Sequence, residues 1–192
     1  MPDEWSNEDF RQILTGESPG LATVRRNLKR IPSSPRCKLC NAPFGGAGGA
    51  VMKHFGFGRF PGNPAICQNC ISQYRKTGVT GAEIPVTLLF ADIRGSTGIG
   101  ERLSPTGFHD FLVYFYRLGS AAILDNGGIV DKLVGDEVIG LFFGGVSGPG
   151  HAAAAIAAAT DLVARAGRVD ATPMGPIPIG AGVHTGLSLI HI

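Results

Sequence analysis

The chain has 192 residues, 44% of them apolar and 17% charged, which is room for one ordinary domain and a small module. Lys and Arg total 17 against 15 Asp and Glu, so the formal charge is +2, without the basic footprint of a nucleic-acid binder or of a protein held on anionic membranes. The longest apolar stretch, HAAAAIAAATDLVA, is shorter than a membrane span and contains Asp161, and the acidic start MPDEWSNEDF is unlike a secretory signal, so a cytoplasmic location and no membrane span are expected.

Residues 1–31 form the first predicted segment. Trp5, Phe10, Ile13 and Leu14 make an apolar stripe, GESPG breaks the pattern, and LATVRRNLKRI predicts a second helix with a solvated basic face of Arg25, Arg26, Lys29 and Arg30. Residues 32–80 change in texture. Proline and glycine are dense, periodicity is weak, and all the cysteines fall here, as Cys37-Lys-Leu-Cys40 and Cys67-Gln-Asn-Cys70. Two C-x-x-C pairs supply four thiolates, the ligand set of a tetrahedral structural Zn²⁺ site. In a segment with so little core, metal binding contributes much of the folding energy. A redox dithiol is the alternative use of such a pair. His54 lies between the pairs, where four sulfurs already complete a site. The module's task stays open between positioning domains, sensing redox state and binding a partner. TGVTGAEIP then reads as a linker.

From Val86 the pattern becomes regular. VTLLFADI predicts a strand with little alternation, buried on both faces. Ser104 and Pro105 make a helix start, and Phe108, Phe111, Leu112, Phe115, Leu118, Ala122 and Ile123 recur at helical spacing. IVDKLV, GD and EVIGLFF predict strand, tight turn and strand. HAAAAIAAATDLVARAG predicts a helix ended by glycine, and IPIGAGVHTG a last strand. The order β-α-β-β-α-β predicts an α+β fold, a ferredoxin-like sandwich carrying the small N-terminal zinc-binding module.

Within LLFADIRGST a buried strand ends on Asp92, beside a basic residue, a glycine and two hydroxyls. Asp136 sits in the predicted hairpin turn. One or two carboxylates joined by substrate phosphates suit Mg²⁺, and a loop with a close-approach glycine running into a helix favours anions. Taken singly, a strand-end aspartate is a common cap and GD a common turn. His109, His151 and His184 read as structural or exposed, although His184 on the last strand can reach a ligand.

TLLFADIRGST, then GGIVDKLVGDEVIGLF, then IGAGVHTG resemble the class III adenylate/guanylate cyclase domain over residues 85–186. PRCKLCNAPF and NPAICQNC are similar to a zinc-ribbon-like segment that precedes the cyclase domain in some bacterial members. The resemblance implies a site at a homodimer interface that converts ATP to 3′,5′-cyclic AMP and pyrophosphate with two Mg²⁺ or Mn²⁺ ions. In it, Asp92, Asp136 and the Ile93 carbonyl bind the metals. Backbone groups of Arg94, Gly95, Ser96 and Thr97 hold the triphosphate, and Lys132 reads adenine, since a lysine donor meets the N1 acceptor of that base.

The family's transition-state asparagine and arginine lie after the HTG strand, beyond the sequence in hand. LSLIHI, residues 187–192, does not resemble the family's continuation, so a foreign tail and an inactive isolated fragment are expected. A non-catalytic, cyclase-like nucleotide- or partner-binding protein is the alternative. A diguanylate-cyclase-like palm around GDEV fits less well, because it leaves FADIRGST and Lys132 unexplained.

Overall fold

The computed structural model describes residues 6–76, 81–168 and 175–190. Trp5, the first part of the expected linker and the last residues of the expected tail lie outside the described residues. Two compact units emerge. One comprises the described residues up to Pro85, together with Phe143–Pro149 and residues 187–190; the other comprises Val86–Phe142 and the described residues of the span 150–186.

The first unit begins with α1 (Asn7–Thr15) and α2 (Pro19–Lys29). A capping box opens α1, in which Ser6 accepts from the Asp9 amide while the Asp9 carboxylate accepts from Ser6, and Gly16 closes it at φ 84°. Ser18 and Pro19 start α2. Phe10 and Leu14 are buried, and the Phe10 ring lies 4.5 Å from that of Tyr74. The Pro/Gly-dense segment contains α3 (Gly46–Met52), a π-helical turn at Lys53–Phe57, the paired strands β1 (Arg59–Phe60) and β2 (Asn63–Cys67), and α4 (Gln68–Lys76). The Arg36 guanidinium donates to the carbonyls of Leu28, Ile31 and Asn41, fastening the end of α2 to the first cysteine turn.

Gly144 and Gly145, in the short helix α7 (Gly144–Ser147), pack on the end of α1. A Cβ at Gly145 would come within 2.6 Å of the Ile13 and Leu14 carbonyl oxygens, so only glycine admits this backbone-to-backbone approach. The Arg25 side chain donates to the Gly145 carbonyl at 2.9 Å. Phe143–Pro149 therefore groups with the first unit, although it was expected inside the cyclase-like region.

A sheet in the order β4-β5-β3-β6 organises the second unit, formed by β3 (Ala82–Ile93), β4 (Ile129–Val134), β5 (Glu137–Phe143) and β6 (Ile179–Ile190). Between the strands run α5 (Ser96–Gly100), α6 (Pro105–Asp125) and α8 (His151–Ala166). The fold is thus mixed, with β4 and β5 antiparallel. Ser104 caps α6 by accepting from the Gly107 amide at 3.1 Å. Phe111, Phe115, Ala122 and Ile123 of α6 meet Ala155, Ala158 and Leu162 of α8 and Leu89, Ala91, Ile93, Val138 and Phe142 of the sheet in one core. The alanine face of α8 lets the helices approach closely, so the small residues serve packing.

Two expectations are corrected. The linker reading extended to Pro85, but β3 already starts at Ala82. Nor is β3 buried on both faces. Leu89, Ala91 and Ile93 enter the helix-covered core, whereas Leu88 and Asp92 are half-buried and Phe90 is exposed. With the helix-facing core claiming alternate residues, the pleat turns the intervening ones to the other face. The polar Thr87 on this strand is fully buried and satisfied, with its Oγ1 2.8 Å from His151 Nδ1 and 2.9 Å from Thr185 Oγ1.

Candidate functional site

Two constellations stand out, one in each unit. In the first, the Cys37, Cys40, Cys67 and Cys70 Sγ atoms all lie within 4.8 Å of one another, with Cys37 to Cys70 at 4.0 Å and Cys40 to Cys67 at 3.6 Å. Tetrahedral zinc with Zn–S near 2.3 Å separates its sulfurs by about 3.8 Å, so the donor set and its spacing fit that ion.

Local backbone geometry builds this cluster. Cys37 and Ala42 are joined by an amide-to-carbonyl bond of 2.9 Å, the Asn41 amide donates back to the Cys37 carbonyl, and Asn41 takes a left-handed φ of 64° to close the turn. The Lys38 amide donates to the Ala65 carbonyl, tying one cysteine turn to the other. Cys67 ends β2 and Cys70 lies in the first turn of α4. The Cys67 amide donates to Cys37 Sγ at 3.3 Å and the Cys70 amide to Cys67 Sγ at 3.4 Å, contacts that favour thiolates. Hydrogen bonding from Cys40 holds the Cys37 thiol well below the ordinary thiol range, while Cys40 and Cys70 are pushed up by the neighbouring sulfurs. Four thiolates this close repel one another unless a cation lies among them. His54 falls in the π-helical turn, outside the four-sulfur set.

The second constellation gathers where β3 ends. The Ile93 amide donates to the Asp136 carbonyl at 3.1 Å, and the Arg94 amide to the Pro178 carbonyl at 2.7 Å. The strand therefore runs out between the β4–β5 turn and the start of β6. The turn is the two-residue link Gly135-Asp136, with Val134 opposite Glu137 and Gly135 at φ 59°. The Tyr116 hydroxyl, from α6, donates to the Gly135 carbonyl and anchors it.

Gly95 follows at φ 69°, a left-handed conformation that turns the chain into α5. No side chain caps that short helix. A hollow of about 490 Å³ opens between loop and turn, lined by Ser96, Thr97, Glu101, Phe108, Gly135 and Asp136 among others.

Asp92 and Asp136 are both half-buried. Asp92 Oδ1 is shut off from solvent and has no hydrogen-bond partner, although Arg94 Nε stands 3.2 Å away. The ion pair thus leaves that oxygen without an aligned donor. An orphaned carboxylate oxygen of this kind suits a hard cation such as Mg²⁺ or Mn²⁺, while of the two aspartates it is Asp136 that lines the hollow.

Lys132 lies on β4 opposite Ile139, exposed, with Nζ 3.1 Å from Asp131 Oδ2. His184 is exposed on β6, and His109 contacts Asp110. Sequence reasoning had no signal for the roles of Gly180 and Pro178, which meet Arg94 only through the fold. No helix among the described residues is long and apolar enough to cross a membrane.

No family model matches the chain. The chain is 34% identical to an adenylate cyclase of Anabaena cylindrica over 104 residues, 53% of this chain and 21% of that enzyme. It is 33% identical to the terminal-differentiation-specific adenylate cyclase of Dictyostelium discoideum over 57 residues, 30% of this chain and 3% of that protein. The chain thus spans a small part of the curated relatives it matches. Among solved structures it resembles the guanylyl cyclase Cya2, with 26% identity and a TM-score of 0.53 over 58% of each chain. It also resembles the catalytic core of a rhodopsin-guanylyl cyclase with converted specificity in complex with ATPαS, at 27% identity and a TM-score of 0.52 over 57% of this chain and 60% of that one. Over about half its length the chain is therefore similar, in sequence and in fold, to adenylate and guanylate cyclases.

Proposed function

We propose that this chain carries the metal- and phosphate-binding half of an adenylate cyclase site, and that the intact protein converts ATP to 3′,5′-cyclic AMP and pyrophosphate as a homodimer. The observation that carries the reading is the Ile93-to-Asp136 backbone bond, which sets the end of β3 against the β4–β5 turn and so brings two aspartate-bearing segments side by side. The similarity to adenylate and guanylate cyclases supports the reaction class.

In this reading Asp92, Asp136 and the Ile93 carbonyl offer oxygen ligands. Bound there, two Mg²⁺ or Mn²⁺ ions supply Lewis-acid activation of the ribose 3′-hydroxyl and neutralise charge on the phosphates. The uncapped amides of the Gly95–Thr97 turn into α5 donate to the triphosphate, holding the α-phosphorus for in-line attack by the 3′-oxygen. The 3′-hydroxyl gives its proton to solvent water as the 3′-oxygen bond to the α-phosphorus forms, the bond from the α-phosphorus to the bridging oxygen breaks, and pyrophosphate leaves into the same set of donors. Lys132 donates to adenine N1, which selects ATP over GTP. The four-cysteine cluster holds a structural Zn²⁺.

The direct experiment is to incubate the purified intact protein with ATP and Mn²⁺ and to separate the products. Cyclic AMP and pyrophosphate in equal amounts are expected; unchanged ATP, or ADP with inorganic phosphate, rejects the reading.

A further inference from the structure

Arg94 is assigned a backbone role by the motif, yet its side chain makes the more specific contact. Its Nε stands 3.2 Å from Asp92 Oδ1, the atom that is closed to solvent and lacks an aligned donor. The backbone under this side chain is fixed on both sides. The Ile93 amide is bonded to Asp136, and the Arg94 amide is bonded to Pro178 at 2.7 Å. The guanidinium then lies against β6 over Gly180, where a Cβ would collide with Nε, Cζ and Nη2. Gly180 does not take a left-handed φ, so its lack of a side chain serves the arginine and not the backbone.

We infer that Arg94 is a built-in competitor for the metal at Asp92, seated by the notch that Gly180 leaves in β6. The inference rests on the metal reading proposed above. A divalent ion bound on Asp92 Oδ1 would be faced at close range, with the same sign of charge, by a guanidinium nitrogen left at its present distance. The two like charges at one oxygen repel each other, so each weakens the other's hold on it.

Arg94 is nevertheless displaceable. Its side chain is 67% exposed and that of Asp92 45%, so the pair is screened and worth little by itself. The flexible stem lets the head group swing toward solvent or toward an anion held at the Gly95–Thr97 turn. Arg94 thus acts on Asp92 as a positioning residue. It raises the metal concentration needed to fill the site.

The test is Mn²⁺ binding by the zinc-loaded 192-residue chain, read by the electron paramagnetic resonance signal of free Mn²⁺, with no turnover involved. Arg94→Gln removes the competing charge. Gly180→Ala pushes the head group aside while keeping the arginine, and the neighbour it displaces is a side-chain tip that can move. Both variants are expected to bind Mn²⁺ about fivefold more tightly than the parent, the scale of an exposed ion pair. Adding Asp92→Asn to Arg94→Gln should abolish that gain.

Unchanged or weaker binding in both single variants overturns the inference while leaving the metal site standing. A gain in Arg94→Gln alone supports the competition and overturns the role given to Gly180. No Mn²⁺ bound by any variant carrying Asp92 overturns the metal reading itself, and the inference with it.

Discussion

The amide of Ile93 donates to the carbonyl of Asp136 across 3.1 Å, so the residue after Asp92 is bonded directly to the second aspartate. Separated by 43 residues of chain, the segments that carry the two acids meet through β5 pairing beside β3 and through a turn short enough to end level with it. The proposed chemistry depends on that juxtaposition.

Lys132 gives a prediction about base selection. It is exposed on β4 and offers only donors, matching adenine N1 and opposing the N1–H of guanine. Lys132→Glu in the intact protein should lower the ratio of kcat/KM for ATP over GTP by at least about tenfold, the worth of one hydrogen bond from a charged group. Steady-state assays with each nucleotide measure this. An unchanged ratio removes Lys132 from the base site.

The cysteine cluster predicts bound metal. Elemental analysis of the purified chain should find one zinc per molecule, and Cys67→Ser should lose it. Because the cluster draws the two cysteine turns together, stripping the metal with a chelator should lower the melting temperature by about 5 °C or more. A chain that carries no metal, or that melts identically after stripping, contradicts a structural centre.

A third prediction concerns acid stability of the second unit. Asp161, on α8, accepts from Arg165 at 2.9 Å and from Asn126, just past α6, at 3.1 Å, while Arg165 also pairs with Asp125 at 2.8 Å. The Arg165 bond holds the Asp161 carboxyl below the usual carboxylate range. A depressed folded-state pKa means the contribution is complete above the unfolded value, about 3.9, and is lost as pH falls through the folded one. Asp161→Asn should therefore cost up to about 1 kcal/mol at pH 7, since the pair is partly exposed. The difference from the parent should vanish as the pH drops below about 4. Denaturant titrations at several pH values measure this, and a difference independent of pH contradicts it.

Much of this arrangement is legible in the chain. The Ser104-Pro105 start, the phenylalanines at helical spacing, the GD turn and the alanine helix are local signals, and α6, the β4–β5 hairpin and α8 appear where they point. The matched cysteine pairs likewise announce a cluster. Other features depend on contacts distant in sequence. Nothing local in the chain marks Gly144 and Gly145 for the close approach of the α1 backbone. The Arg94–Asp92 contact is local, but the seat provided by Gly180 comes from a strand over 80 residues away, and no periodicity encodes it. The open face of β3 was missed because Leu88 and Phe90 are as apolar as their buried neighbours; hydrophobicity alone does not say which face a helix covers.

The account turns on whether Asp92 and Asp136 act together on a metal-bound nucleotide. The decisive measurement is cyclic AMP formation from Mn²⁺-ATP by the intact protein and by its Asp92→Asn and Asp136→Asn variants, with circular dichroism confirming that each is folded. Each substitution should reduce kcat by at least about 100-fold. A folded variant that keeps activity within about threefold of the parent would contradict the claim.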